Sequence, residues 1–258
     1  TENHWVRWLW VNSRQISVRN VVITSHLFLV WKSAQPARIR SWPSNAEYGR
    51  MQKLKGQIMI EKCKKQPLKS ACWIYLALTL VPGVFLPDNA GYLTESFVRC
   101  LLPGAIACWI AVKAFGAQRS SLGVEGFWKS LLYSSPIAVL CIINLVTAKH
   151  GEIAFHQVVW ASCTALGEEL MARFMLFRGI ALGSAGEDIL GGNPILLSAV
   201  IFGVMHAVNA AVMGTWNALF QIVYTAVIGA LFAWSYNKTG CLLGGILWHA
   251  LLNLTSML

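Results

Sequence analysis

Gly167-Glu168-Glu169-Leu170-Met171-Ala172-Arg173 sets two adjacent carboxylates and a guanidinium inside an otherwise apolar run. A charged side chain at the centre of a bilayer costs at least a few kcal/mol, so such groups face a bundle interior or a wet cavity and carry function. Two later apolar runs add His206 and His249, each with an asparagine behind it, Asn209 and Asn253. These are the groups that would activate a water molecule inside a membrane.

Working outward, the whole composition fits that setting. The 258-residue chain is 56% hydrophobic and 12% charged, far from the balance of a soluble domain. Candidate spans, each near the roughly 20 residues a crossing helix needs, fall at about 71–87, 97–115, 130–147, 155–181, 194–213, 217–236 and 240–257. The expected fold is all-α: a polytopic membrane helical bundle of about seven transmembrane helices, one domain over residues 59–258.

The charge is unevenly placed. Thirteen Lys/Arg stand against three acidic residues in positions 1–70, and eight against eight afterwards, so the net +10 comes from the region before the first span. By the positive-inside rule this end stays cytoplasmic, with Lys62, Lys64, Lys65 and Lys69 in the zone that counts most. The expected location is the plasma membrane of a prokaryote, multi-pass, with membrane lipid as a partner. No motif accompanies the charge that would make nucleic acid a partner, and juxtamembrane lysines already have a topological explanation.

Residues 1–58 read as a basic, poorly ordered N-terminal extension, because their one apolar run, about Val21 to Trp31, is too short to cross. No methionine precedes Met51, and translation is expected to start there or at Met59. The seven cysteines form no CxxC pair, so neither a disulfide framework nor a cysteine zinc site is indicated.

Within the central run Glu169 and Arg173 are four apart and share a helix face, which allows a charge-assisted pair. Glu168 points about 100° away. One carboxylate is then held ionised while its neighbour faces a cavity as a base. Phe202 and His206 share a face, with Asn209 a turn beyond, and His249 aligns with Asn253. An imidazole and an amide on one face can donate hydrogen bonds to the same oxygen, as a developing oxyanion requires. At about 1.5 Å per residue, Glu168, His206 and His249 fall at similar depth along their spans.

Glu168-Glu169-x-x-x-Arg173, Phe202-x-x-x-His206 and His249-x-x-x-Asn253 together resemble the motif set of the CAAX protease and bacteriocin-processing family, the type II CAAX prenyl endopeptidases and their bacterial relatives. The resemblance covers about residues 155–257. It implies an intramembrane endopeptidase, a peptide hydrolase whose substrate is a peptide or a membrane protein. Glu168 and His206 would activate a water, His249 and Asn253 would stabilise the oxyanion, and Glu169 and Arg173 would orient the site. The expected cofactor is none; the alternative is a divalent metal such as zinc at Glu168, His206 and His249, since two histidines and a carboxylate leave an open position. Phe177-Arg178-Gly179 is expected at a helix end, with a snorkelling arginine.

Other chemistries fit less well. The only aspartates, Asp88 and Asp188, fall in predicted loops, and no HExxH helix occurs. Ser184 sits in a turn-like Gly183-Ser184-Ala185-Gly186 stretch beside Glu187. A non-enzymatic binding or immunity protein is the competing class. A transporter is disfavoured because no pair of broken helices recurs in two halves.

Overall fold

The computed structural model describes residues 45–86, 91–148, 153–183 and 193–258. Residues 1–44, Asp88, Lys149 and the Ser184 to Asp188 segment lie outside the described residues. All regular structure among the described residues is helical. The elements are α1 (Asn45–Lys65), α2 (Pro67–Phe85), α3 (Tyr92–Ser96), α4 (Leu102–Ala114), α5 (Phe127–Tyr133), α6 (Ile137–Thr147), α7 (Phe155–Glu169), α8 (Arg178–Gly183), α9 (Pro194–Met205), α10 (Ala210–Met213), α11 (Thr215–Thr239) and α12 (Leu243–Thr255). Wide π turns at Phe97–Leu101 and Leu170–Phe177 join α3 to α4 and α7 to α8.

The run 155–183 is the axis of the molecule. Every residue of its π segment Leu170–Phe177 is buried. α2 and α4 pack on one side of it, with Ala71, Ala107, Ala111 and Ala114 giving Phe174 to Ile180 room to approach. α9, α11 and α12 pack on the other side. A Cβ added at Gly167 would strike the Cys100 carbonyl, and one at Gly104 would lie 2.9 Å from Gly167 Cα. Two glycines therefore let backbone meet backbone where the site stretch begins, the small-residue packing that membrane helices favour.

On the far side, buried serines bind α5 to α11 and to the start of α12. Ser130 donates to the Cys241 carbonyl at 2.9 Å, Ser134 to Ser235 at 3.0 Å, and Ser235 to the Ser130 carbonyl at 3.2 Å. Trp248 donates its indole N–H to the Leu131 carbonyl at 2.9 Å.

By length and apolar composition, two helical stretches among the described residues could cross a membrane, Thr94–Ala114 and Thr215–Thr239. The pair α5 and α6 would make a third if counted as one span. Pro67–Pro82, Pro194–Asn209 and Leu243–Thr255 are apolar but shorter. The expected count of about seven transmembrane helices is thus not reached on this measure, although helices occupy each of the seven intervals.

Local details also correct the expectation. The span expected at 130–147 is broken by a 62° bend between α5 and α6, where Pro136 supplies no backbone N–H. The span expected at 194–213 stops being α-helical after Met205 and passes through a tight 3-10 turn, His206–Asn209. α9 itself starts as its sequence dictates, with Pro194 in the first turn and the Asn193 carboxamide oxygen accepting from the N–H groups of Ile195 and Leu196. Phe177-Arg178-Gly179 is no helix end, because the helix continues to Gly183 and Arg178 donates to the Phe115 carbonyl at 3.3 Å. α1 begins at Asn45, inside the segment expected to be an N-terminal extension.

Candidate active site

Glu169 and Arg173 are 1% exposed and form the expected pair, Arg173 Nε to Glu169 Oε2 at 3.3 Å. One carboxylate oxygen remains, and it faces α12: Glu169 Oε1 lies 2.9 Å from His249 Nδ1. The other ring nitrogen of the same imidazole, Nε2, lies 3.5 Å from Glu168 Oε2. His249 is therefore clasped between adjacent carboxylates of one helix. A carboxylate oxygen 2.9 Å from Nδ1 is met by an Nδ1–H donor, and this contact fixes the ring.

The guanidinium of Arg173 is buried, and among the described residues Nη1 and Nη2 have no hydrogen-bond partner. Two rings compensate: Arg173 Cζ lies 4.3 Å from the centroid of Phe202 and 5.7 Å from that of Phe232. Gly229 provides the space, since a Cβ there would sit 3.0 Å from Nη2. Phe232 also stacks on His249 at 5.6 Å, and Phe202 meets it edge-on at 6.5 Å. The polar series Arg173, Glu169, His249, Glu168 thus runs beside two aromatic rings.

His206 joins this cluster through Phe202, whose ring centroid is 5.0 Å from that of the imidazole. Its Nδ1 lies 2.9 Å from the Phe202 carbonyl. A carbonyl only accepts, so Nδ1 carries the hydrogen and Nε2 is left with a lone pair. The same contact explains the break in α9: the imidazole takes the carbonyl that a helical N–H at 206 would use, and that N–H turns to Gly203 and Val204. Asn209, one turn on, donates to the Gln221 carboxamide of α11 at 2.9 Å.

The structure brings Glu168, Glu169, Arg173 and His249 into direct contact. His206 stands one ring away. Among the described residues no hydrogen bond or ion pair joins His206 to Glu168, and the side chain of Asn253, half-buried on the His249 face of α12, makes no hydrogen bond. Glu168 is the open member of the carboxylate pair, its side chain 26% exposed against 1% for Glu169.

Sequence reasoning missed three contributors. Tyr75 of α2 is buried within electrostatic reach of Glu168, Glu169 and Arg173; a phenol in an apolar helix was the available signal. Phe232 and Gln221 gave none, since an aromatic or an amide in a span reads as packing.

Glu168, His206 and His249 make up the alternative metal-ligand set. Among the described residues, no group of three or more His, Cys, Asp or Glu side chains has an arrangement that could hold a metal ion. The donor chemistry agrees, because both nitrogens of His249 are directed at carboxylates.

Residues 150–255 match the model of the family described as Type II CAAX prenyl endopeptidase Rce1-like. That stretch is similar to the Rce1-like family. No curated protein and no solved structure matches the chain. The Rce1-like segment opens just before α7 and closes at the end of α12, so it spans every residue of the cluster described above. The family is one of proteases, and the apolar helices agree with a membrane protein.

Proposed function

We propose that the chain is an intramembrane endopeptidase that hydrolyses a peptide bond with a water activated by side chains. The observation that carries this reading is the clasp of His249 between Glu169 Oε1 at 2.9 Å and Glu168 Oε2 at 3.5 Å. It joins an exposed carboxylate to an imidazole whose orientation is set by a buried ion pair.

In the proposed reaction Glu168, assisted by the Nε2 lone pair of His206, takes a proton from water, and the hydroxide attacks the peptide carbonyl. The oxyanion accepts hydrogen bonds from Nε2–H of His249, as an imidazolium whose Nδ1–H stays on Glu169, and from the amide of Asn253. Collapse breaks the C–N bond, and the proton taken from water passes to the leaving amine. No acyl-enzyme forms. Glu169 and Arg173 act by positioning His249. The proposed location is the plasma membrane with the N-terminus cytoplasmic, which the lysines before α2 support. The substrate class is a peptide or membrane protein whose scissile bond reaches the level of Glu168.

The test compares the membrane peptidome of cells carrying wild type, Glu168→Gln or His206→Ala. Products present only with wild type, at equal levels of inserted protein, are expected. Identical peptidomes together with an unaltered cellular phenotype would favour a binding protein that keeps the fold.

A further inference from the structure

One end of the bundle carries a polar groove that the proposed protease chemistry leaves unused. It has a volume of about 570 Å3 and is lined by Gln118, Ser121, Glu125, Trp128, Lys129 and Lys238 among others. Its walls are the loop that leads into α5, the first turn of α5 and the C-terminal turn of α11. Leu242 N–H donates to the Ser121 carbonyl at 3.1 Å, and Cys241 Sγ lies 3.5 Å from the Gly123 carbonyl. The buried bonds among Ser130, Ser134, Ser235 and Cys241 lie behind it. The groove is therefore held open by structure and does not depend on a ligand to form.

Its position relative to the bilayer follows from α11. This helix is long and apolar enough to cross, and it ends at Thr239, one residue after Lys238. Twenty-five residues at about 1.5 Å each exceed the roughly 30 Å hydrocarbon thickness, so the last turn reaches the headgroup layer. Trp128 is 77% exposed there, as interfacial indoles are. Lys129 and Lys238 are both exposed, and neither has an acidic partner among the described residues. Two ammonium groups and an indole thus line one cavity at headgroup depth, with Glu125 as its acidic member.

We propose that this groove binds phosphate chemistry, and that its occupant is the headgroup of an anionic phospholipid. Lys129 and Lys238 reach the phosphate oxygens from opposite walls, and the indole of Trp128 lies at the glycerol level. Lys238 also offsets the carbonyl end of α11. Glu125 lines the same groove and opposes the anion, so its removal strengthens binding. The inference does not depend on the protease reading, because the site shares no residue with the Glu168 cluster.

The experiment titrates purified full-length protein with phosphatidylglycerol, with phosphatidylcholine and with inorganic phosphate, and reads retained adducts by native mass spectrometry. Wild type should retain phosphatidylglycerol over phosphatidylcholine. Each lysine near a membrane surface contributes roughly a fivefold factor, so Lys129→Ala with Lys238→Ala should weaken retention about 25-fold. Glu125→Gln should tighten it, and that sign is read independently of how well the lysine variants fold. Lys69→Ala, exposed but not lining the groove, should change nothing. Unchanged retention in the double variant, or an equal loss in Lys69→Ala, overturns the site. Inorganic phosphate that binds with the same lysine dependence and displaces the lipid overturns the lipid as occupant and leaves free phosphate.

Discussion

His249 Nδ1 lies 2.9 Å from Glu169 Oε1, across 80 positions of sequence, and this contact ties α12 to the central helix at the level of the candidate site. It divides adjacent glutamates into two kinds. Glu169 is enclosed and committed to Arg173 and His249, whereas Glu168 keeps an exposed edge.

The buried pair should behave as a unit. Removing one partner of a buried ion pair strands the other charge, at a cost of about 3–5 kcal/mol. Arg173→Met should therefore lower thermal stability in detergent sharply, and Arg173→Met combined with Glu169→Leu should recover part of the loss. A double variant no more stable than either single variant would show that the pair is not coupled.

Gly167 sets the approach of α7 to the π turn at Phe97–Leu101. Gly167→Ala would drive a methyl group into the Cys100 carbonyl, and overpacking of this kind costs about 1–3 kcal/mol. A lower melting temperature together with fewer product peptides is the expected outcome. Wild-type stability would mean that the two backbones can separate freely.

Gln221 holds the 3-10 turn that carries His206 by accepting from Asn209 at 2.9 Å. Gln221→Leu removes one hydrogen bond, a net change of about 1 kcal/mol, yet it frees the segment bearing His206. Turnover should fall more than stability does. Parallel small losses in both would reduce Gln221 to a packing residue.

Asn253→Ala should lower turnover less than Glu168→Gln, because it removes one of two oxyanion donors. Equal abolition, with the fold intact, would give Asn253 a larger role than oxyanion binding.

Protein stripped of metal with a membrane-permeant chelator should keep its activity, since the proposed steps use side chains alone. Loss of activity that zinc restores would move Glu168 into a ligand role.

The sequence by itself determined that the chain is helical and apolar, and that charge collects before the first long apolar run. It also placed the Glu169 and Arg173 pair, because a four-residue spacing on a helix fixes a shared face. The alignment of His249 with Asn253 was legible for the same reason. All of these are local consequences of helical periodicity. What only the tertiary structure decided is which ring meets which carboxylate. Spacing left Glu168 unpaired and read His249 as an oxyanion donor or, alternatively, a metal ligand, whereas packing of α12 on α7 puts His249 between both glutamates. The breaks after Tyr133 and Met205 were equally hidden. A hydrophobic run records that a segment is apolar but not that a histidine will take a backbone carbonyl from its own helix, because that choice depends on partners distant in sequence.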